Sequence, residues 1–274
     1  FLPMADSTQG RQTWLVDMRS PVVLIQNMET TIKEPFSSSS RILAAIRGAH
    51  RSLQTAMTAL YPGELVLSLS SGIDKITAIN GVPTVPTQPR QLGPDMCVPF
   101  GKILRGSVVP NTVTKTLHTD KYYNPDLSRH NVGPYPFYSP LESQVRVIKS
   151  FARPVILVDD LLHNSARLST LDSLFRAQEI NVRMVLVGLL SGNGRDLATS
   201  QGYPVDGVYY VPNLRHWFVE STLYPFIGGD TVRREGSRTA AGLIPAVNQI
   251  LPYATPFFAR YCSPQTVFSL SQVC

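Results

Sequence analysis

The segment that decides the fold covers residues 154–190 and reads PVILVDDLLHNSARLSTLDSLFRAQEINVRMVLVGLL. Its first part, residues 154–158, is a continuous apolar run, as in a strand that is buried on both faces of a parallel sheet. The apolar residues of 168–178 then recur at spacings of three and four, which predicts a helix. Residues 182–190 form a second apolar run and predict a second buried strand. Strand, helix and strand in this order are the unit from which parallel sheets are built.

The same alternation continues downstream of this unit. The turn Ser191-Gly-Asn-Gly194 leads into a further short helix, and residues 205–211 predict a third strand. Because strands alternate with helices, the sequence predicts the α/β class, with a doubly wound, mostly parallel sheet. From about Trp217 onward, aromatic residues alternate with Pro- and Gly-containing segments. This part predicts an irregular C-terminal hood or cap over the edge of the sheet.

The upstream half contains one strongly periodic helix. Apolar residues over 42–60 recur at helical spacings, and the side chain of Ser39 or Ser40 would cap the start of that helix. Residues 64–72 alternate apolar with polar positions and predict a strand that stops at a Ser-Ser-Gly turn. Residues 81–140 are rich in Pro, Gly, Thr and Asn and predict loops and hairpins. A loop region of this length inside a compact domain is usually functional.

The length of the chain and the places where its predicted elements end predict one compact unit made of three contiguous segments. The chain has 274 residues, which suits one large domain or a domain with a smaller attachment. Residues 1–62 would supply a strand and a helix that pack on the core, residues 63–216 the core itself, and residues 217–274 the cap. The first residue is Phe1 rather than Met, from which we expect a processed chain or part of a longer protein.

Composition and charge narrow the classes of function. Apolar residues make up 43% of the chain, which is enough for a sizeable core and argues against global disorder. No N-terminal segment resembles a signal peptide, and no apolar run reaches the roughly 18 residues that a membrane span needs. The formal net charge of +6 favours anionic ligands such as phosphates and nucleotides. The basic residues are dispersed, which argues against nucleic acid as a partner.

The cysteines Cys97, Cys262 and Cys274 are widely spaced and few. This pattern makes neither a disulfide framework nor a zinc site. Inert, reduced thiols are typical of a cytoplasmic protein, which is the localisation we expect.

Two adjacent carboxylates, Asp159 and Asp160, follow the first buried strand directly. Ligands of open α/β sheets bind beyond the carboxyl ends of the strands, so this pair is a candidate ligand site. Neighbouring carboxylates repel one another, and a metal ion or the vicinal hydroxyls of a ribose would compensate them. The helix that follows would point its first N–H groups at the same place, where a phosphate would bind. The sequence therefore predicts a site for ribose and phosphate together.

Residues 155–168, VILVDDLLHNSARL, resemble the PRPP-binding signature of the type I phosphoribosyltransferases. That signature combines a hydrophobic strand, two acidic residues, two hydrophobic residues and a small loop rich in Thr and Gly. The first eight residues match it closely. The resemblance implies that Asp159 and Asp160 face the ribose hydroxyls, and that loop 163–167 binds the 5′-phosphate.

The loop of this chain departs from the family pattern. It consists of His163, Asn164, Ser165, Ala166 and Arg167. A serine therefore stands at the family's glycine position, and an arginine at its last threonine position. Ser165 and Arg167 would still donate hydrogen bonds to a phosphate.

The same resemblance implies a pyrophosphate loop earlier in the chain. Ser70, Ser71 and Gly72 follow a predicted strand in the order that the family shows. Successive N–H groups in such a tight turn form an anion nest. An ordinary turn is the alternative interpretation.

A segment with three regularly spaced basic side chains lies between these two motifs. Lys115, His118 and Lys121 recur every three residues, in the part of the chain where the family carries a flexible loop that closes over PRPP. Cations there would stabilise the charge that grows on the departing pyrophosphate. Lys102 and Arg105 are further candidates. For each of these residues, a solvated surface position is the alternative.

A receiver domain of a response regulator is the alternative fold for the acidic pair. In that class a similar pair helps to hold magnesium, and a phosphoacceptor aspartate ends the third strand. The expected place is near residues 209–213, where this chain has no aspartate. Other α/β folds also remain open.

Three functions are compatible with these residues. The first is an enzyme that transfers a phosphoribosyl group with release of pyrophosphate, together with Mg²⁺ held largely by the oxygens of PRPP. The second is a catalytically altered module that binds a nucleotide-like ligand and regulates a covalently linked neighbouring domain. The third is an interaction domain without a small ligand, since a fold alone does not establish function. The resemblance further implies a homodimer, and no association with a membrane is expected.

Overall fold

A computed structural model describes most of the chain. The described residues are 2–3, 20–29, 32, 34–69, 94–100, 115–123, 130–135, 138–164, 166–224, 233–234 and 257–274. The chain forms two compact units, each assembled from three separate segments. Unit 1 contains residues 1–18, 73–120 and 132–213, and unit 2 contains residues 19–72, 121–131 and 214–274.

The described residues form both strands and helices. In chain order they are β1 (Leu2–Pro3), β2 (Val22–Gln26), α1 (Ser40–Leu60), β3 (Leu65–Leu69), β4 (Met96–Pro99), β5 (Thr119–Tyr123), β6 (His130–Pro134), α2 (Leu141–Ser150), β7 (Val155–Leu162), α3 (Ala166–Ala177), β8 (Val182–Ser191), α4 (Gly192–Ser200), β9 (Val205–Val211), β10 (Leu214–Val219), α5 (Glu220–Leu223), β11 (Arg233–Arg234) and α6 (Pro264–Val273). Short 3-10 turns cover Phe36–Ser38 and Phe257–Ala259.

Unit 1 is built on a five-stranded sheet with the order β1-β9-β8-β7-β4. The strands β4, β7, β8 and β9 are parallel, and only β1 at the edge is antiparallel. Leu157 of β7 aligns with Val98 on one side and with Val185 on the other. The strand that carries the acidic pair is therefore an interior strand of a parallel sheet, and the α/β class is confirmed.

The described helices of unit 1 pack on one face of this sheet. Residues of α2, α3 and α4 form one apolar cluster with Val98, Leu157 and Val185. The parallel strands follow one another in order across the sheet, and right-handed crossovers that all advance in one direction place their helices on the same face. The doubly wound arrangement that the sequence predicts has helices on both faces, which these three helices do not show. The opposite face, with Cys97 and Ile156, is nevertheless also buried.

Unit 2 is built on a smaller parallel sheet with the order β10-β2-β3. The helices α1 and α6 pack against each other and bury their apolar faces on this sheet. The core contains fully buried side chains from both layers, such as Ile25 of β2, Leu53 of α1 and Leu270 of α6. The start of α1 is as predicted, because the Ser39 side chain accepts a hydrogen bond from the backbone N–H of Ile42.

The units divide the chain differently from the three contiguous segments that the sequence suggests. The predicted strand of residues 64–72 appears as β3, which belongs to unit 2 rather than to the sheet of the acidic pair. Trp217, where the sequence suggests the start of an irregular cap, lies inside β10. Both differences arise from long-range pairing, because β2 joins β3 and β10 although about 190 residues separate β2 from β10.

A third, small sheet has the order β11-β5-β6. Two of its strands, β5 and β6, lie in the segment for which the sequence predicts loops and hairpins. Within the described helices of the whole chain, none combines the length and apolar composition that a bilayer crossing requires.

Candidate functional site

The acidic pair lies inside β7 rather than after it. The sequence predicts that the strand ends at Val158, but β7 continues to Leu162. The extension has a physical reason, since Leu161 and Leu162 align with Leu189 and Leu190 of β8 and prolong the apolar ladder. Asp159 and Asp160 therefore lie near the carboxyl end of β7, and Leu161 and Leu162 follow them in the strand.

The two carboxylates differ in exposure. Asp159 is buried, with 6% of its surface exposed, whereas Asp160 is half-buried. The backbone N–H of Asp160 donates a hydrogen bond of 2.9 Å to Oδ1 of Asp159. The buried member of the pair therefore needs a strong partner, and the half-buried member is the one that a ligand reaches more easily.

Arg167 is the partner of the buried carboxylate. It lies in the first turn of α3, and its Nη1 is 2.6 Å from Oδ1 and 2.5 Å from Oδ2 of Asp159. The guanidinium carbon also lies 5.2 Å from the centre of the Phe100 ring. Phe100 is fixed next to β7, because its backbone N–H donates to the carbonyl oxygen of Val158. The protein itself thus supplies the compensation that the sequence assigns to a metal ion or a ribose.

The electrostatic environment of this pair is acidic. Burial acts to lower the pKa of Arg167, but the carboxylates of Asp159, Asp160 and Asp120 outweigh it and hold that pKa above its ordinary value. Arg167 therefore remains a guanidinium cation under all ordinary conditions. Three carboxylates therefore act on this single cation.

The predicted phosphate loop is only partly available to a ligand. Nδ1 of His163 lies 3.1 Å from Oγ of Ser191. Asn164 is exposed. Ser165 lies outside the described residues, and Ala166 opens α3. Of the five loop residues, His163 and Arg167 are thus turned towards protein partners.

Ser191 links His163 of this loop to the start of α4. It is fully buried, and its Oγ accepts a hydrogen bond from the backbone N–H of Gly194 as the cap of α4. Gly194 has to be a glycine, because a Cβ atom there would lie 2.1 Å from the carbonyl oxygen of Leu162. The Ser191-Gly-Asn-Gly194 segment is therefore a capped helix start that packs against the end of β7.

His118 is held in place by the scaffold of unit 1. Its backbone N–H donates to Oε1 of Gln144, and Nε2 of Gln144 donates to the carbonyl oxygen of His118. Its ring stacks on Tyr138 with 3.8 Å between the ring centres. The preceding residue, Leu117, forms a bridge to Phe100, the residue that contacts Arg167. The segment of His118 is therefore attached to the strand next to the acidic pair.

The structure describes two of the other predicted cations and none of the predicted pyrophosphate turn. Lys115 is half-buried, and Lys121 is exposed on β5. Ser70, Ser71 and Gly72 lie outside the described residues, as do Lys102 and Arg105. The predicted roles of all these residues stay predictions.

The donor set does not fit a magnesium ion held by the protein. In the part of the chain that the structure describes, no three His, Cys, Asp or Glu side chains come together as a metal site. Both oxygens of Asp159 accept hydrogen bonds from Arg167. Magnesium would therefore have to arrive with the phosphate oxygens of a ligand and with water, as this ion prefers.

Comparisons with known proteins add little to this geometry. No protein-family model matches the chain, and no curated protein matches it in sequence. Among solved structures, it is similar to the adenine phosphoribosyltransferase from Thermoanaerobacter pseudethanolicus. The identity is 11%, the match covers 61% of this chain and 83% of that chain, and the TM-score is 0.25. A match at this level carries no argument about activity, so the site has to be interpreted from its own residues.

Proposed function

We propose that unit 1 is a phosphoribosyltransferase-like module that binds PRPP or a related ribose-phosphate or nucleotide beyond the carboxyl end of β7. The observation that carries this proposal is the position of Asp159, Asp160 and Arg167 at that end of an interior parallel strand. Ligands of open α/β sheets bind at such ends. The signature that the sequence shares with the family lies at the same place.

Asp160 is the residue that we expect to bind the ribose. It is more exposed than Asp159, whose two carboxylate oxygens already accept hydrogen bonds from Arg167. The phosphate would then lie near the first turn of α3, where backbone N–H groups are oriented towards an anion.

Arg167 makes a catalytically altered, regulatory module the best interpretation. In order to bind a phosphate with its guanidinium, Arg167 would have to release Asp159, which would leave a carboxylate that is 6% exposed without its partner. Breaking such a pair is costly. Tight binding of ribose with only a weak hold on the phosphate fits a ligand sensor better than a transferase.

Phosphoribosyl transfer with release of pyrophosphate is the second candidate. The observation that favours it is the fixed position of His118 in unit 1, on a segment that is bridged to Phe100. A cationic group held there would stabilise the charge of the departing pyrophosphate.

Calorimetric titration with PRPP and with nucleoside monophosphates, each with and without magnesium, tests the proposed binding. We expect Asp160→Asn to weaken binding at least tenfold, because it removes the ribose acceptor but keeps the Arg167 pair. Asp196→Asn is the matched control, since the side chain of Asp196 is 77% exposed on α4. No binding by the unchanged protein, or equal affinity in the two variants, would refute the proposed site.

Release of pyrophosphate from PRPP in the presence of purine or pyrimidine bases separates the two candidates. Binding without release supports the regulatory module. Release that depends on Asp160 and on His118 supports the transferase.

A further inference from the structure

A serine, a histidine and a glutamate form a continuous polar chain in unit 2. Oγ of Ser68 lies 2.8 Å from Nε2 of His50. On the other side of the ring, Nδ1 of His50 lies 3.1 Å from Oε2 of Glu220. The three residues come from β3, α1 and the start of α5, so the fold of the unit brings them together.

Glu220 is positioned by neutral donors. It is fully buried, its Oε2 accepts the backbone N–H of Met28 at 2.9 Å, and its Oε1 accepts the hydroxyl of Tyr224 at 3.2 Å. Burial, with the adjacent Glu220, raises the pKa of Tyr224 well above its ordinary value, so this hydroxyl keeps its proton. These donors hold the carboxylate of Glu220 at a fixed place next to the ring of His50.

The arrangement favours one tautomer of His50. A carboxylate oxygen next to Nδ1 favours the proton on that nitrogen, which leaves the lone pair of Nε2 for the hydroxyl of Ser68. The Nδ1–H direction is not aligned for a hydrogen bond to Glu220, although the two atoms are 3.1 Å apart. Such bonds are often poorly aligned before a substrate binds.

The three residues differ in exposure. His50 and Glu220 are 8% and 0% exposed, but Ser68 is exposed to solvent. Of the three residues, Ser68 is therefore the one whose hydroxyl a solute can reach.

The backbone of Ser68 also faces an open edge. Leu65 donates its N–H to Pro21, and Leu69 accepts from Asn27, so the odd-numbered residues of β3 bond to β2. In a parallel ladder the alternate residues direct their N–H groups to the other side. No described strand pairs with that side of β3. The N–H of Ser68 is therefore oriented towards a position where it can donate to an oxygen next to its own hydroxyl.

We propose that these residues form a second site, in which Ser68 is a nucleophile towards carboxylic esters. Oγ of Ser68 forms a bond to the carbonyl carbon while its proton moves to Nε2 of His50. The carbonyl oxygen becomes an oxyanion and accepts the N–H of Ser68. The ester C–O bond then breaks, and the leaving alcohol takes the proton from Nε2. Water repeats these steps on the acylated serine and releases the carboxylic acid.

The roles of the three residues are different. Ser68 and His50 are catalytic residues, because they contact the reacting atoms. Glu220 is a positioning residue that orients the ring and stabilises the imidazolium. This site shares no residue with the ribose-phosphate site of unit 1, so each proposal is tested separately.

Labelling of the intact protein with a fluorophosphonate probe, followed by mass spectrometry of the modified peptide, tests the proposal. We expect Ser68 to react at least 100-fold faster than Ser52, an exposed serine of α1 whose hydroxyl donates only to a backbone carbonyl. Ser68→Ala should abolish the fast labelling and Ser52→Ala should not affect it. Equal rates at the two serines would overturn the proposal, and this comparison needs no variant that could fail to fold.

Two further variants test the partners of Ser68. His50→Ala should slow labelling about 100-fold, and added imidazole should restore part of the rate. Glu220→Gln should slow labelling more than Glu220→Asp, which keeps the carboxylate, when both rates are corrected for the folded fraction. Labelling of Ser68 that is unchanged in His50→Ala would also contradict the mechanism.

Discussion

The two units each bury a carboxylate, and they neutralise it in different ways. Asp159 of unit 1 faces a guanidinium at 2.5 to 2.6 Å. Glu220 of unit 2 faces a backbone N–H, a tyrosine hydroxyl and a histidine ring. The arginine donates to both oxygens of Asp159. The neutral donors hold Glu220 with one of its carboxylate oxygens 3.1 Å from Nδ1 of His50. The partner, rather than the burial, thus decides what a buried carboxylate can do.

The largest expected effect on stability comes from removing Arg167, the partner of Asp159. Arg167→Met leaves Asp159 buried without its cation, and we expect a loss of about 3 kcal/mol in the free energy of unfolding. This value lies at the low end for buried pairs, because 32% of the Arg167 side chain is exposed and water can partly replace it. Urea unfolding at pH 7 measures the change.

Two control variants test this interpretation. Arg176→Met removes an arginine whose side chain is 61% exposed and should cost much less. Arg167→Met combined with Asp159→Leu removes both charges and should recover most of the loss. If the double variant is less stable than Arg167→Met alone, the pair is not the reason for the loss.

An intermediate effect is expected from Glu220. Glu220→Gln keeps the size of the side chain, but only one of its two terminal atoms can still accept the N–H of Met28 or the hydroxyl of Tyr224. We expect a loss of about 1.5 kcal/mol, measured by the same unfolding experiment. Glu34→Gln, at an exposed position of unit 2, should leave the unfolding midpoint unchanged. A loss as large as that of Arg167→Met would mean that His50 is held by Glu220 as a full ion pair.

The smallest effect is expected at Asp172, a carboxylate near the surface. It has one charged partner, Arg176, and one neutral partner, the hydroxyl of Tyr203. Burial acts to raise its pKa, but hydrogen bonds from Arg176 and Tyr203 hold that pKa below its ordinary value. A lowered pKa stabilises the fold above the pKa of the unfolded state, near 4, and this contribution is lost as the pH falls through the folded pKa. Asp172→Asn should therefore cost less than about 1 kcal/mol at pH 7. The difference from the unchanged protein should shrink below pH 4, and a difference that stays constant down to pH 3 would contradict this explanation.

The sequence predicts the elements of this protein better than their partners. The apolar runs of residues 154–158 and 182–190 predict β7 and β8, because a strand that is buried on both faces has a local composition of its own. The extension of β7 to Leu162 depends on its alignment with Leu190, and no local pattern reports that alignment. The position of β3 in the sheet of unit 2 likewise depends on its pairing with β2, and no local pattern reports that pairing.

The candidate sites show the same limit. The acidic pair is visible in the sequence, but Phe100 and Asp120 reach Arg167 from distant segments and cannot be inferred from it. The departure at Arg167 is a usable signal, because an arginine that replaces a threonine in the predicted phosphate loop needs an anionic partner. In unit 2 the signal is His50, a histidine on the apolar face of α1 that the periodicity of Leu53 and Met57 defines. A polar residue at such a position has to find a buried partner.

The discontinuity of the two units has a consequence for synthesis and folding. The pairing of β2 with β10 joins residues about 190 positions apart, so during translation β2 stays without that neighbour until residue 214 has left the ribosome. The consecutive strands of unit 1 from β7 to β9 span fewer than 60 residues and can pair among themselves earlier. Contacts of high sequence separation slow folding and leave strand edges exposed in the meantime. The edge of β2 that pairs with β10 is therefore exposed for longer during synthesis than the edges between β7, β8 and β9.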